Sequence, residues 1–177
     1  MAHLPCFGSC TGCGVAVLKA GWGEGQELNM VGLVVATHGR LADELVATAE
    51  QIVGKLPSVA TCSIEPGTSP ADIRERMRAV VESVDSGDGV IVMADLFGGT
   101  PCKESMMLCQ KAGNGIEILA GVNLPMLIKA NSLRISDESM SLPDMAHALL
   151  QHAQRNITCV SDLIREHQRP EPPRSGV

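Results

Sequence analysis

The stretch Val31-Gly-Leu-Val-Val-Ala-Thr-His-Gly-Arg40 constrains this chain more than any other. A short, valine-rich apolar run without polar alternation reads as a strand buried on both faces, as in a parallel sheet. The run ends in Thr37-His38-Gly39, and a helical pattern follows at once. His38 therefore falls just past the carboxyl end of a parallel strand, the edge where open α/β sheets bind their ligands.

The alternation of strand and helix continues along the chain. Leu41, Leu45, Val46, Ala49, Ile52 and Val53 share one helical face, and Gly54 closes that helix. Val59–Ile64 reads as a second strand, ended by Glu65-Pro66-Gly67. Ser69, Pro70 and Asp72 suit the N-cap, N1 and N3 positions of a second helix. Its buried face is Ile73, Met77, Val80, Val81 and Val84, which leaves Arg74, Glu75, Arg76 and Arg78 to solvent. Val90–Ala94 is a third strand, and Thr100-Pro101 reads as the N-cap and N1 of a third helix. Residues 116–122 form a fourth strand candidate, Leu124-Pro125 opens a further helix, and Met145, Leu149, Leu150 and Ala153 mark a last one. Residues 156–160 read as a short strand. The pattern predicts an α/β fold: a doubly wound, mainly parallel four-stranded sheet flanked by helices.

Composition narrows the class. With 177 residues the chain is long enough for one domain with a sizeable core. It is 45% apolar but only 2% aromatic, so that core must be aliphatic; the methionines 77, 106, 107, 126 and 145 read as core filling. A net charge of −6 argues against a nucleic-acid binder held by electrostatics. No apolar run approaches the roughly 18 residues of a membrane span, and the N-terminus lacks a signal-peptide pattern, so a cytoplasmic location is expected. Four of the seven cysteines (Cys62, Cys102, Cys109, Cys159) stand singly among apolar neighbours and read as small buried hydrophobes in a reducing compartment. Residues 1–29 form a Gly- and Cys-rich extension without sustained period, 30–166 the α/β domain, and 167–177 a Pro-rich tail expected to lack order.

Two strand ends carry the chemistry. The first offers Thr37-His38-Gly39; the third offers Asp95, then Gly98-Gly99-Thr100-Pro101 at a helix start. In a doubly wound sheet, strands 1 and 3 flank the topological switch point, so both ends open on one crevice. A carboxylate accepting a hydrogen bond from one imidazole nitrogen fixes the tautomer and leaves the other nitrogen as a nucleophile. Backbone N–H groups at the Gly-Gly-Thr helix start suit an anion such as a phosphoryl group. Thr37, Gly98, Gly99 and Thr100 are therefore the candidate phosphate-binding residues beside His38 and Asp95. Neither a Walker lysine motif nor GxGxxG accompanies them, so no nucleotide is indicated. No cofactor or metal is expected at this site. Phe97 suits a rim for partner docking rather better than a place in the core, while Arg40 reads equally as a steering charge and as helix surface. His147, His152 and His167 are expected to face solvent.

Three motifs in order, Val-Ala-Thr-His-Gly ending at Gly39, Asp-Leu-Phe-Gly-Gly-Thr-Pro ending at Pro101, and Ala-Gly-Val-Asn-Leu-Pro-Met-Leu ending at Leu127, resemble the mannose-family IIA component of the bacterial phosphoenolpyruvate-dependent sugar phosphotransferase system. The resemblance runs from about residue 30 to about residue 164. It implies that His38 is the phosphoacceptor, at Nε2, and that Asp95 orients it through Nδ1. It further implies a phosphotransferase that takes a phosphoryl group from HPr and passes it to a IIB component, with the membrane IIC and IID components engaged only indirectly. A homodimer that exchanges a short C-terminal strand, residues 156–160, is implied as well. Residues 1–29 have no counterpart in that family.

Three alternatives stand beside this reading. One is a regulatory module switched by phosphorylation, and a second is the phosphocarrier subunit of dihydroxyacetone kinase, which has a similar domain. The third is a redox or metal protein organised around Cys6-x3-Cys10-x2-Cys13, a spacing resembling that of radical S-adenosylmethionine enzymes, although no fourth soft ligand follows.

Overall fold

The valine-rich run forms β1 (Gly32–His38), buried along its whole length except for His38 at its end. The structure, a computed structural model, describes residues 30–136 and 139–168. The expectations for residues 1–29, the Cys6, Cys10 and Cys13 cluster included, and for most of the tail lie outside the described residues. After β1 come α1 (Leu41–Val53), β2 (Val59–Ile64), α2 (Pro70–Val84), β3 (Val90–Ala94) and α3 (Thr100–Ala112). A 3-10 turn leads to β4 (Ile116–Ala120), followed by α4 (Leu124–Ser136), α5 (Leu142–Arg155) and α6 (Val160–His167).

All four strands are parallel, in the order β2-β1-β3-β4. The order reverses at β1, so the crevice between the ends of β1 and β3 is the switch point. Strand alternation divides the core into two layers. Leu33 and Val35 face Ala42, Val46, Leu127 and Leu149 of α1, α4 and α5. Val34 and Ala36 face Ile73, Met77 and Val80 of α2, with Leu108 and Cys109 of α3 beside them. The core is aliphatic throughout, and the buried Met77, Met93 and Met126 fill it as their unbranched chains allow. Gly32 marks where α2 closes on the sheet: a Cβ there would lie 2.5 Å from the Val84 carbonyl oxygen.

Local signals set three of the six described helix starts. Ser69 accepts the Asp72 N–H at 3.2 Å with Pro70 in the first turn, and Ser141 accepts that of Asp144 at 3.3 Å. Asn123 Oδ1 accepts the Met126 N–H at 2.9 Å and opens α4. The third helix starts differently from expectation. Gly99 is its N-cap, and Thr100 and Pro101 are its first two residues.

Other differences have tertiary causes. In α1 only Ala42, Val46 and Ala49, a narrow stripe at i, i+4 and i+7, are buried, and Leu41, Ile52 and Val53 are exposed. Met106, Met107 and Leu150 are exposed rather than core filling. Arg74 is not simply solvated: its Nε donates to Glu104 Oε2 at 2.9 Å and ties α2 to α3. Cys62 and Cys102 are buried as expected, Cys109 is half-buried, and Cys159 is exposed. His147 and His167 are exposed, and His152 is half-buried.

The expected strand at residues 156–160 is absent from the chain as described. Asn156 caps α5, residues 157–159 have no regular structure, and Val160 begins α6. A strand gains its hydrogen bonds from a neighbour, and the described residues set no strand beside the segment.

At the opposite end of the sheet from His38, Arg134 is a buried clip. Its Nη1 donates to the carbonyls of Pro57 at 2.9 Å and Val31 at 3.1 Å, while Nη2 reaches Asn131 Oδ1 at 3.5 Å. Its Nε has no partner, and burial pushes the guanidinium down to about 10.

Candidate functional site

His38 is the last residue of β1 and Asp95 the first after β3, so the two adjacent strands deliver them to one crevice. The imidazole Nδ1 lies 3.0 Å from Asp95 Oδ2 and 3.2 Å from Oδ1. Asp95 Oδ2 also accepts the His38 backbone N–H at 2.8 Å. The carboxylate thus holds both the ring and the main chain that bears it. With Nδ1 as the donor, Nε2 is left with its lone pair. About half of the His38 side chain is exposed (48%), whereas Asp95 is mostly covered (14%). A covered carboxylate orienting an accessible imidazole is the arrangement of an activated nucleophile.

The loops around this pair are fixed by the backbone. Gly39 N–H donates to the Ile64 carbonyl at 2.8 Å, and Gly121 and Val122 both donate to the Ala94 carbonyl, at 2.9 and 3.0 Å. A cleft of about 400 Å³ opens beside the ring, lined by His38, Ile64, Glu65, Thr68, Ile73 and Thr100 among others. The first turns of α2, at Pro70, and of α3, at Thr100, both border it. Helix starts carry unpaired N–H groups and a partial positive charge. In α3 the Gly99 N–H is used on the Leu96 carbonyl at 3.1 Å, and Lys103 is the first to donate back, to Gly99. Thr100 and Cys102 carry the remaining first-turn N–H groups, since Pro101 has none.

The structure therefore brings His38, Asp95, Gly99 and Thr100 together, and Gly98 joins them in the turn before α3. It does not bring Thr37 to the cleft. That side chain is fully buried, and its Oγ1 accepts the Ala42 N–H at 2.8 Å. Successive strand residues point to opposite faces; Thr37 points toward α1, His38 toward α2 and α3. Its hydroxyl secures the β1–α1 turn and is not placed to bind phosphate.

Phe97, the one Phe, Tyr or Trp among the described residues, is 81% exposed beside the site, and Leu96 is 61% exposed. The β2–α2 loop wall formed by Glu65 and Thr68 was missed in the sequence, where Glu65-Pro66-Gly67 read only as a turn. The signal was available: β2 neighbours β1, so its loop opens on the same edge. No group of three or more His, Cys, Asp or Glu able to hold a metal ion is found among the described residues. No helix among them is long and apolar enough to cross a membrane.

An exposed histidine oriented by a carboxylate at the switch point of a four-stranded parallel sheet defines a class of histidine-centred α/β protein. Comparison with known proteins makes it specific. The family profile described as "PTS system fructose IIA component" matches residues 32–150, and the chain belongs to this family of sugar phosphotransferase system components. It is 25% identical over 142 residues to the mannose-specific EIIAB component of Escherichia coli, covering 80% of this chain and 43% of that protein. The chain thus spans less than half the length of that relative. It is 32% identical over 106 residues to the transcriptional regulatory protein LevR of Bacillus subtilis, covering 59% of this chain and 11% of LevR. Among solved structures, the mannose/sorbose-specific IIA subunit of the phosphotransferase system from Enterococcus faecalis superimposes with a TM-score of 0.65 at 28% identity, covering 81% of this chain and 98% of that one.

Proposed function

We propose that residues 30–166 form a phosphocarrier domain in which His38 Nε2 accepts a phosphoryl group from phospho-HPr and passes it to a IIB component during sugar uptake. The observation that carries this reading is the Nδ1 contact with Asp95, which leaves Nε2 as the free nitrogen of a half-exposed ring that lines the cleft. In the first step the Nε2 lone pair attacks phosphorus as the donor's P–N bond breaks, and the donor imidazole leaves with that electron pair. The second step reverses the roles toward the IIB acceptor. Little covalent chemistry is asked of the protein, which positions the group and offsets its charge. The N–H groups of Thr100 and Cys102, the turn at Gly98 and the Thr100 hydroxyl are the groups suited to receive the phosphoryl oxygens. Asp95 stabilises the cationic phosphoimidazole through Nδ1–H.

Phe97 and Leu96 form the apolar rim on which the carrier proteins dock. A homodimer belongs to the same reading; Ile157 and Val160 lie uncovered at the C-terminal end of the single chain, 77% and 64% exposed, and a second copy would cover them.

The test is intact mass after incubation with phosphoenolpyruvate, enzyme I and HPr, on the wild type and on His38→Ala. One acid-labile phosphoryl group on the wild type alone is expected. No addition while HPr itself is phosphorylated would overturn the reading.

The similarity to LevR favours a second reading, a regulatory domain whose phosphorylation state is sensed by a partner. Transfer from phosphorylated chain to a IIB component separates the two: a carrier discharges, a regulator does not.

A further inference from the structure

We propose that Gly99 is a positioning residue for His38, and that the absence of its side chain, rather than its backbone conformation, is what the site requires. The two glycines before α3 are glycine for different reasons. Gly98 has φ +75°, a left-handed conformation in which a side chain is strained. Gly99 has φ −67° and ψ 169°, which any residue adopts. A Cβ at Gly99, however, would lie 2.8 Å from His38 Cε1 and 3.2 Å from the Leu96 carbonyl oxygen.

The backbone of Gly99 is poorly able to retreat. Its N–H donates to Leu96 O at 3.1 Å and its carbonyl accepts the Lys103 N–H at 2.9 Å, so moving it would disturb both the turn and the first bond of α3. The imidazole is the softer partner, because it is the half-exposed far end of a side chain. A methyl group at residue 99 is therefore accommodated by the ring. Cε1 is bonded to both ring nitrogens, so its displacement pulls Nδ1 from Asp95 and carries Nε2 away from the start of α3. The ring is thus set from two sides, by the Asp95 carboxylate at Nδ1 and by the bare Cα of Gly99 at Cε1.

The rate consequence rests on the phosphocarrier reading; the geometric consequence does not. The experiment compares full-length wild type, Gly99→Ala and Gly54→Ala by thermal unfolding, by 15N NMR of the histidine side chains, and by single-turnover phosphorylation from phospho-HPr. The His38 resonances are assigned by their loss in His38→Ala. Gly54, at the far end of α1 with φ +83°, is the control for a purely structural glycine.

Gly99→Ala is expected to stay folded, to shift the His38 Nδ1 and Nε2 resonances toward mixed tautomers, and to slow phosphorylation ~10- to 100-fold, the scale of a displacement approaching 1 Å. Gly54→Ala is expected to lower the melting temperature with the His38 resonances and rate unchanged. Wild-type resonances in Gly99→Ala would overturn the proposal, as would its failure to fold, since the conflict would then fall on the backbone. A wild type that takes no phosphoryl group would overturn the functional reading, while the resonance comparison would still decide the role of Gly99.

Discussion

Asp95 Oδ2 stands 3.0 Å from the Nδ1 of His38 and 2.8 Å from the backbone nitrogen of the same residue. One carboxylate oxygen therefore sets both the tautomer of the ring and the end of the strand that carries it. The two residues are 57 positions apart in sequence and meet because β1 and β3 are neighbours.

This double contact makes Asp95→Asn a demanding change. The amide keeps the shape, and its oxygen can accept one of the two N–H groups, but its NH2 can pair with an Nδ1 lone pair and so favours the wrong tautomer. It also removes the charge that stabilises a cationic phosphoimidazole. Phosphorylation is expected to fall ~100-fold or more, following the loss seen when an orienting carboxylate is neutralised. Single-turnover labelling, with histidine 15N shifts reporting the tautomer, checks both halves.

Thr37→Val is expected to act on stability instead. It leaves the buried Ala42 N–H without its acceptor, a loss of about 1–3 kcal/mol. Thr37→Ser, which keeps the oxygen, should recover most of it. Urea denaturation midpoints measure the difference, and comparable phosphorylation rates in the folded proteins would confirm that Thr37 does not touch the phosphoryl group.

Phe97→Ala should leave the fold intact, because the ring covers little of the core. If the rim docks the carrier, the apparent KM for phospho-HPr rises ~10-fold with kcat little changed, as expected when an aromatic anchor is removed from an interface. An unchanged KM would remove Phe97 from the docking surface.

Arg134→Met tests the clip below the sheet. The carbonyls of Val31 and Pro57 lose a charged donor, which is expected to cost about 1.5–3 kcal/mol, offset in part by removing a buried charge. The sign of its pH dependence follows from its depressed folded value of about 10. The unfolded chain binds the proton more tightly, so this group's unfavourable contribution is fully present at neutral pH and is relieved only as pH rises above about 10. Comparing wild type and variant by chemical denaturation between pH 6 and pH 8 should show a constant difference.

Much of this architecture is legible locally. The valine run of β1, the Ser69-Pro70 start of α2 and the Gly54 stop of α1 rest on contacts within a turn or on alternation along a strand, and each formed where it was read. His38 and Asp95 could be paired in advance because a doubly wound order places the ends of strands 1 and 3 together. Even the orientation of Thr37 away from the cleft follows from two-residue alternation along β1.

What the sequence by itself determined is the set of short-range preferences: which segments become strands or helices, and which strand ends carry chemistry. Tertiary structure alone decided the rest. Arg134 reaches carbonyls 77 and 103 residues away, Gly99 at the start of α3 meets the ring at the end of β1, and Met106 and Phe97 are exposed because no other element packs over them in the described chain. Residues 156–160 have the composition of a strand but no neighbouring strand among the described residues. Side-chain preference is local, whereas burial, close approach and strand pairing depend on what the folded chain brings alongside.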